Sequence, residues 1–212
     1  VLKINEIFFS IQGESSFAGY PTVFVRTSGC HLRCTYCDTQ YAYYEGQKMT
    51  TTDIVKRVQA YPARHVCITG GEPLLSKEIY PLMSELCDLN YITSLETSGD
   101  LSCEHVDPRV RKVIDVKTPD SGAANKFCFD NLKSDPTTTE FKFVICSNDD
   151  FVWAERFAKE NDLFEKFLVL YSPSFNVVEE IWLAQQILAA GSRARLQLQL
   201  HKYIWSPNAR GI

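Results

Sequence analysis

Short runs rich in β-branched and aromatic residues recur along the chain, and amphipathic stretches separate them. "TVFVRT" (22–27), "HVCIT" (65–69), "YITSLET" (91–97), "KVIDVK" (112–117), "TEFKFVIC" (139–146) and "KFLVLY" (166–171) read as strands, and "RLQLQLHKYIW" (195–205) alternates as a last one. Between them, "TTTDIVKRVQAY" (50–61) opens on threonines and Asp53 and sets Ile54, Val55 and Val58 on one face, as a capped amphipathic helix does. Residues 76–89, 149–162 and 176–191 read as further helices, with Pro81 tolerable only near the first turns and Gly191 as a stop.

This alternation restricts the fold to a narrow class. Parallel strands require long crossovers of one hand, and helices fill them. Strands that are apolar throughout belong to a sheet covered on both faces. The expectation is therefore an α/β architecture with mostly parallel strands, about seven of them after an N-terminal segment, and no clear helix between 97 and 112. The pattern fits a barrel or an open sheet equally. At 212 residues and 45% hydrophobic content, a single domain over 1–212 can bury a full core. Net charge is -4 with no basic stripe, so no nucleic-acid partner is expected. The apolar runs are too short to span a bilayer, so no membrane partner is expected either. No basic segment followed by an apolar one opens the sequence, which points to a cytoplasmic setting with reduced thiols. Loops 38–50 and 118–138 are the longest irregular stretches, and such loops often cover a site.

Eight cysteines are present, and three of them crowd into "GCHLRCTYCDT" (29–39). Cys67, Cys87 and Cys146 lie in apolar runs, where a free cysteine packs as a small hydrophobe. Cys30, Cys34 and Cys37 follow a C-x3-C-x2-C spacing with polar and glycine-bearing flanks. A disulfide cannot use all three. Structural zinc prefers four closed ligands, no second C-x2-C follows, and His31 sits too near Cys30 along the backbone to be an easy fourth. Three thiolates on a cubane cluster would leave one iron without a protein ligand, open to a small molecule.

This triplet, with Tyr36 before its last cysteine, resembles the signature of radical S-adenosylmethionine (SAM) enzymes. "TGGEP" (69–73), directly after a strand and before a helix, is similar to the segment of that family that meets the SAM amino group. The resemblance implies a [4Fe–4S] cluster on Cys30, Cys34 and Cys37, with SAM on the fourth iron. It also implies a reduced partial (β/α) barrel of the radical SAM type. There is no later cysteine cluster for a second centre. "FSIQGES" (9–15), "FVRTSGC", "CDT", "LETSG", "DVKTP" and "QLHKYIW" together resemble the 7-carboxy-7-deazaguanine synthase family over nearly the whole chain. That family contracts the ring of 6-carboxy-5,6,7,8-tetrahydropterin with loss of ammonia, for queuosine-type bases, and uses SAM, one cluster and Mg²⁺. Its members are usually homodimers, with flavodoxin or ferredoxin as the expected electron donor.

The residue types suit this chemistry. Glu14 can accept from a pterin's N–H edge, Gln12 can donate and accept, and Arg26 can fork onto an anion. The resemblance implies that Gln12, Gly13, Glu14, Arg26, Thr69 and His201 contact substrate, with Lys202 beside His201. It assigns Tyr36, Cys37, Asp38, Gly71, Glu72, Ser98, Lys117, Thr118 and Pro119 to SAM, and Thr39 to Mg²⁺, a hard cation that needs few protein ligands. The tail "SPNARGI" is expected to fold back towards the site. Two other readings remain at this point: a glycyl-radical activase, which would act on a protein, and a zinc-stabilised binding module, which would not explain "TGGEP".

Overall fold

The computed structural model describes residues 1–124, 126–206 and 209–211. Its strands are β1 (Leu2–Ile11), β2 (Pro21–Thr27), β3 (Gln47–Met49), β4 (His65–Gly70), β5 (Ile92–Thr97), β6 (Arg111–Asp115), β7 (Thr139–Ile145), β8 (Leu168–Pro173) and β9 (Arg195–Leu196). They form one open sheet in the order β3-β1-β2-β4-β5-β6-β7-β8-β9. From β2 through β9 the neighbours are parallel, and β1 runs antiparallel to both β2 and β3. The barrel expected by resemblance is thus partial, with its first and last strands unjoined.

Among the described residues six helices accompany the sheet: α1 (Thr51–Gln59), α2 (Ile79–Asp88), α3 (Asn148–Glu160), α4 (Leu163–Lys166), α5 (Glu180–Ala189) and α6 (His201–Ile204). The starts of α1 and α3 are fixed by side-chain caps: Thr50 accepts from the Asp53 amide and Ser147 from the Asp150 amide. Ile54, Val55 and Val58 are the buried residues of α1, as its periodicity predicts. Helix α2 packs on β5, α3 on β7 and α4 on β8. The core therefore lies between sheet and helices, where Ile68, Leu95, Ile114, Phe141 and Phe143 are fully buried.

Three sequence expectations are corrected. The N-terminal segment is a full ten-residue strand, β1, and its antiparallel course carries the chain away from the crossover pattern. The short strand β3 lies inside what reads as loop 38–50. The last strand ends after Arg195–Leu196 instead of running to 205. Beyond Leu196 the polar half of the alternation turns inward: the Leu200 amide donates to the Gly13 carbonyl (3.0 Å), and α6 follows. A strand at the sheet edge has one neighbour only, so this contact with the Gly13 loop outweighs further pairing. The connection between β5 and β6 contains no helix among the described residues.

Two irregular segments finish the open barrel. The loop after β1 crosses to the start of β7, where the Ser16 amide and hydroxyl donate to Glu140 (3.0 and 2.6 Å). The segment after β9 packs upon that loop at Gly13. Ligand sites in such sheets form at the C-terminal strand ends, and these two segments close the space there.

Candidate active site

The C-terminal strand ends surround a cavity of about 960 Å³. Cys30, Cys34 and Cys37 line it as free thiols on the loop that follows β2. That loop has no regular structure, yet its side chains are tied to several elements. Leu32 is buried, and the Arg33 guanidinium donates to the carbonyls of Cys30 and Leu32 (2.7 and 2.6 Å). Thr35 holds Asp120 and Ser121 through its hydroxyl and amide (2.9 Å each). The Tyr36 hydroxyl lies 3.4 Å from Lys117 Nζ, and His31 pairs with Asp100. Asp38 takes the Lys202 ammonium at 2.8 Å and the Thr39 hydroxyl at 2.9 Å. Burial alone would raise the Asp38 carboxyl, but Lys202 overrides it and holds it down at about 2. Burial raises the Cys30 and Cys34 thiols.

The turn after β4 comes into van der Waals contact with this loop. A Cβ on Gly71 would lie 2.0 Å from the Gly29 carbonyl oxygen and 3.0 Å from Cys30 Cβ, so only glycine allows the approach. Gly71→Ala should push the cysteine loop outwards and lower SAM cleavage by about 100-fold, the scale of an ångström-size misplacement. Iron content after anaerobic reconstitution and 5′-deoxyadenosine release check this. Full iron loading with an unchanged cleavage rate would show that the loop tolerates the shift.

The same cavity holds a set of polar groups carried by the loop after β1, by β2, β4, β5, β6 and β7, and by the C-terminal segment. Thr69 Oγ1 donates to Glu96 (2.9 Å) and Gln12 Nε2 donates to the other oxygen of the same carboxylate (3.3 Å). Glu14 receives Lys142 Nζ on one oxygen and Gln199 Nε2 on the other, both at 2.5 Å. Lys142 also reaches Asp115 at 3.5 Å, and Asp115 pairs with Lys117 at 3.1 Å. Burial alone would pull both ammonium groups down, but the facing carboxylates, Asp115 for Lys117 and Glu14 for Lys142, hold both above the usual lysine value. Both stay charged, and positive and negative groups alternate from Glu14 through Lys142 and Asp115 to Lys117. Arg26 uses Nε on Glu6 (2.8 Å) and packs near the rings of Phe8 and Tyr41.

Gln12, Glu14, Arg26, Thr69 and His201 all line the cavity, as do Tyr36, Cys37, Asp38, Thr39, Gly71, Ser98, Lys117 and Lys202. Four expected residues do not. Glu72, expected to accept from an ammonium, accepts instead from the Leu74 amide (3.0 Å), the Thr97 hydroxyl (2.8 Å) and the amide and hydroxyl of Ser98. Leu74, Thr97 and the Ser98 amide fill most of this carboxylate's capacity, with the Ser98 hydroxyl shared with Asp100, so Glu72 joins the ends of β4 and β5. Gly13 lies under α6: a Cβ there would stand 2.1 Å from His201 Nδ1, so its smallness seats the histidine. Thr118 is fully buried, its hydroxyl within hydrogen-bond reach of two acceptors, Val144 O (3.0 Å) and Asp150 Oδ2 (2.9 Å), on the α3 side. Pro119 is exposed and starts a 3-10 turn. Of the tail, Ala209, Arg210 and Gly211 line the cavity, while Pro207, Asn208 and Ile212 lie outside the described residues.

Glu96, Asp115, Lys142 and Gln199 line the site and are missed by the sequence reading. Each had a signal. Asp115 and Lys142 are charges inside apolar strands, and such charges are seldom buried without a purpose. Glu96 lies within "LETSG", near a strand end.

The site suits an iron–sulfur cluster: three soft thiol donors face one cavity, beside a glycine whose missing side chain leaves room for their loop. Thr39 adds a hard hydroxyl oxygen suited to Mg²⁺ at the cavity wall. The Radical SAM superfamily model matches residues 24–120, which contain the thiol loop, "TGGEP" and "LETSG". Fold and site thus define a radical SAM protein. The crystal structure of QueE from Escherichia coli shares the fold, with a TM-score of 0.78 at 23% identity over 93% of each chain. A 7-carboxy-7-deazaguanine synthase of Chlorobaculum tepidum is 45% identical over 100% of this chain and 97% of its own. Another, from Koribacter versatilis, is 38% identical over the full length of both. The chain belongs to the 7-carboxy-7-deazaguanine synthase family. The activase and zinc-module readings fall with this assignment.

Proposed function

We propose that the cavity converts 6-carboxy-5,6,7,8-tetrahydropterin to 7-carboxy-7-deazaguanine and ammonia, with 1–212 acting as one radical SAM core domain. The observation that carries this reading is the meeting of the three thiols with the Gln12, Glu14, Thr69 and Glu96 set in one cavity. When bound, the cluster and SAM supply an electron and a carbon radical able to take a hydrogen atom from the substrate.

The protein's own residues bind and orient. Glu14 and Glu96 offer acceptors to the N–H edge of the pterin, and Gln12 fits between them as donor and acceptor. Arg26 directs its remaining guanidinium N–H groups to the substrate carboxylate. Cys30, Cys34 and Cys37 hold the cluster, with Tyr36, Asp38, Gly71, Ser98 and Lys117 beside SAM. Lys117 is a fixed positive charge in this half of the site. His201, seated on Gly13, faces the substrate from the C-terminal segment, which closes the cavity and excludes water. Thr39 is the Mg²⁺ side of the site. Radical SAM enzymes take an electron donor, here a flavodoxin or ferredoxin, and the working unit is a homodimer. No helix among the described residues is long and apolar enough to cross a membrane. Thiols that must stay reduced suit the cytoplasm.

The test is anaerobic reconstitution followed by turnover with SAM, a reductant, Mg²⁺ and the carboxytetrahydropterin. A deazapurine product of the expected mass supports the reading, and SAM cleavage without that product would exclude this substrate. In the same assay Thr39→Val should raise the Mg²⁺ concentration for half-maximal rate about tenfold, the usual order for losing a partner at a metal site. A Mg²⁺ profile identical to the unaltered chain would take Thr39 out of the site.

A further inference from the structure

The first cysteine of the loop belongs to a closed circuit of contacts. Its stem is held by backbone, the Glu72 amide donating to the Gly29 carbonyl (2.8 Å). From Glu72 the carboxylate takes the Ser98 amide (2.7 Å), and the Ser98 hydroxyl lies 2.5 Å from Asp100 Oδ1. The other oxygen of Asp100 pairs with His31 Nε2. His31 adjoins Cys30, which adjoins Gly29, and the circuit is complete. The Asp100 side chain is only 7% exposed, so a mostly buried carboxylate is spent on this junction. Arg33 holds carbonyls of its own loop, and Thr35 and Tyr36 reach the β6 side. Within the cysteine loop, His31 is the side chain that pairs with Asp100, which the Ser98 hydroxyl joins to the end of β5.

We infer that His31 and Asp100 are positioning residues for the iron–sulfur site. They press Cys30 against the ridge formed by Gly71 and Ser98, and so fix the separation between the cluster and the sulfonium ligand that docks on it. Without the imidazole, Cys30 is held only by the Gly29 stem and by Arg33 on its own carbonyl, neither of which ties its side to Asp100. Cys34 and Cys37 keep the tethers of Thr35, Tyr36 and Asp38, so the disturbance is confined to the first ligand. The inference rests on the cluster-and-SAM part of the proposed function and is independent of which substrate is consumed.

The experiment compares the unaltered chain with His31→Ala, His31→Gln and Asp100→Asn under anaerobic conditions. SAM affinity is read from the change that SAM induces in the electron paramagnetic resonance spectrum of the reduced cluster. Loop order is read in cluster-free protein from the iodoacetamide alkylation rate of each cysteine, by mass spectrometry. His31→Ala should weaken SAM binding by roughly tenfold, the scale of a lost outer partner at a metal site. It should speed alkylation of Cys30 by roughly fivefold relative to Cys34 and Cys37, a local-opening effect. His31→Gln, which keeps a donor within reach of Asp100, should restore both readouts most of the way. Asp100→Asn, which keeps size but not charge, should act in the direction of His31→Ala and serves as the second variant if that one fails to fold.

Three results would overturn the inference. They are unchanged SAM affinity and Cys30 labelling in His31→Ala, equally faster labelling of all three cysteines, and no rescue by His31→Gln. Pterin turnover of the unaltered chain is measured alongside. Its absence with intact SAM binding would remove the substrate assignment and leave the clamp standing.

Discussion

Cys34→Ala is expected to abolish SAM cleavage, with the rate falling at least about 10³-fold, because the whole catalytic acceleration depends on a cofactor that two thiols do not hold. The thiol is half-buried, and burial raises its pKa, so ligation must also drive off a proton. Removing it takes away the middle ligand of the loop, while Cys30 and Cys37 keep their places through Arg33, Lys202 and the Gly29 stem. The fold should persist, since the loop's anchors to Asp120, Ser121 and Lys117 do not use sulfur. Iron and sulfide per chain after reconstitution, together with a thermal melt, check the prediction. Cys67→Ala is the contrast: that residue is fully buried beside Phe8 and Phe24, and its loss should cost about 1–2 kcal/mol of packing with the cluster retained. A Cys34→Ala protein that keeps its iron and cleaves SAM would remove the thiol from the site.

That contrast also shows what the sequence could and could not convey. Spacing separated the three thiols that line the cavity from Cys67 in the core, because tight polar clustering and apolar context leave different marks in a sequence. The helices and parallel strands were legible from hydrophobic period, since burial on both sides of the sheet leaves continuous apolar runs. β1 escaped because its ten residues carry both a strand and the start of the "FSIQGES" motif, and antiparallel pairing leaves no crossover to announce it. The false strand at 195–205 has a different cause. Alternation reports two unlike faces, but does not say whether the polar one meets water or a cavity. Here Gln199, His201 and Lys202 meet the cavity. Motif positions likewise do not say which side chain points inward. In "TGGEP" the glutamate bonds to its own neighbours and Gly71 lines the cavity, and in "DVKTP" Asp115 and Lys117 line it while Thr118 faces Asp150.

Lys142 gives the sharpest case of a functional residue hidden in an apolar strand, and its removal should have the largest effect on stability. It is 9% exposed, 2.5 Å from Glu14 and 3.5 Å from Asp115. Lys142→Met leaves Glu14 buried with its main countercharge gone, which costs about 3–5 kcal/mol. Asp115 keeps Lys117 and suffers less. The pH dependence should change sign as well. In the unaltered chain burial favours the neutral form of Glu14, but Lys142 outweighs it and the carboxyl lies below its ordinary value. A group lowered on folding contributes stability that is present above about pH 4.3 and lost as pH falls further, through the folded value. Without the ammonium, only the smaller pulls of His201 and the Gln199 hydrogen bond still oppose burial, and the folded value rises above that of the free side chain. The folded protein then binds the extra proton, so acidifying from neutrality should stabilise Lys142→Met while leaving its parent flat or weaker. Urea unfolding at pH 7 and pH 5 measures both slopes. Adding Glu14→Gln to Lys142→Met should recover most of the lost stability, because no unpaired charge remains. It should not recover pterin turnover, because the acceptor facing the substrate is gone. A double variant that regains activity would mean that the pair serves only to hold the fold, and a single variant with the parent's pH slope would mean that Glu14 has another counterion.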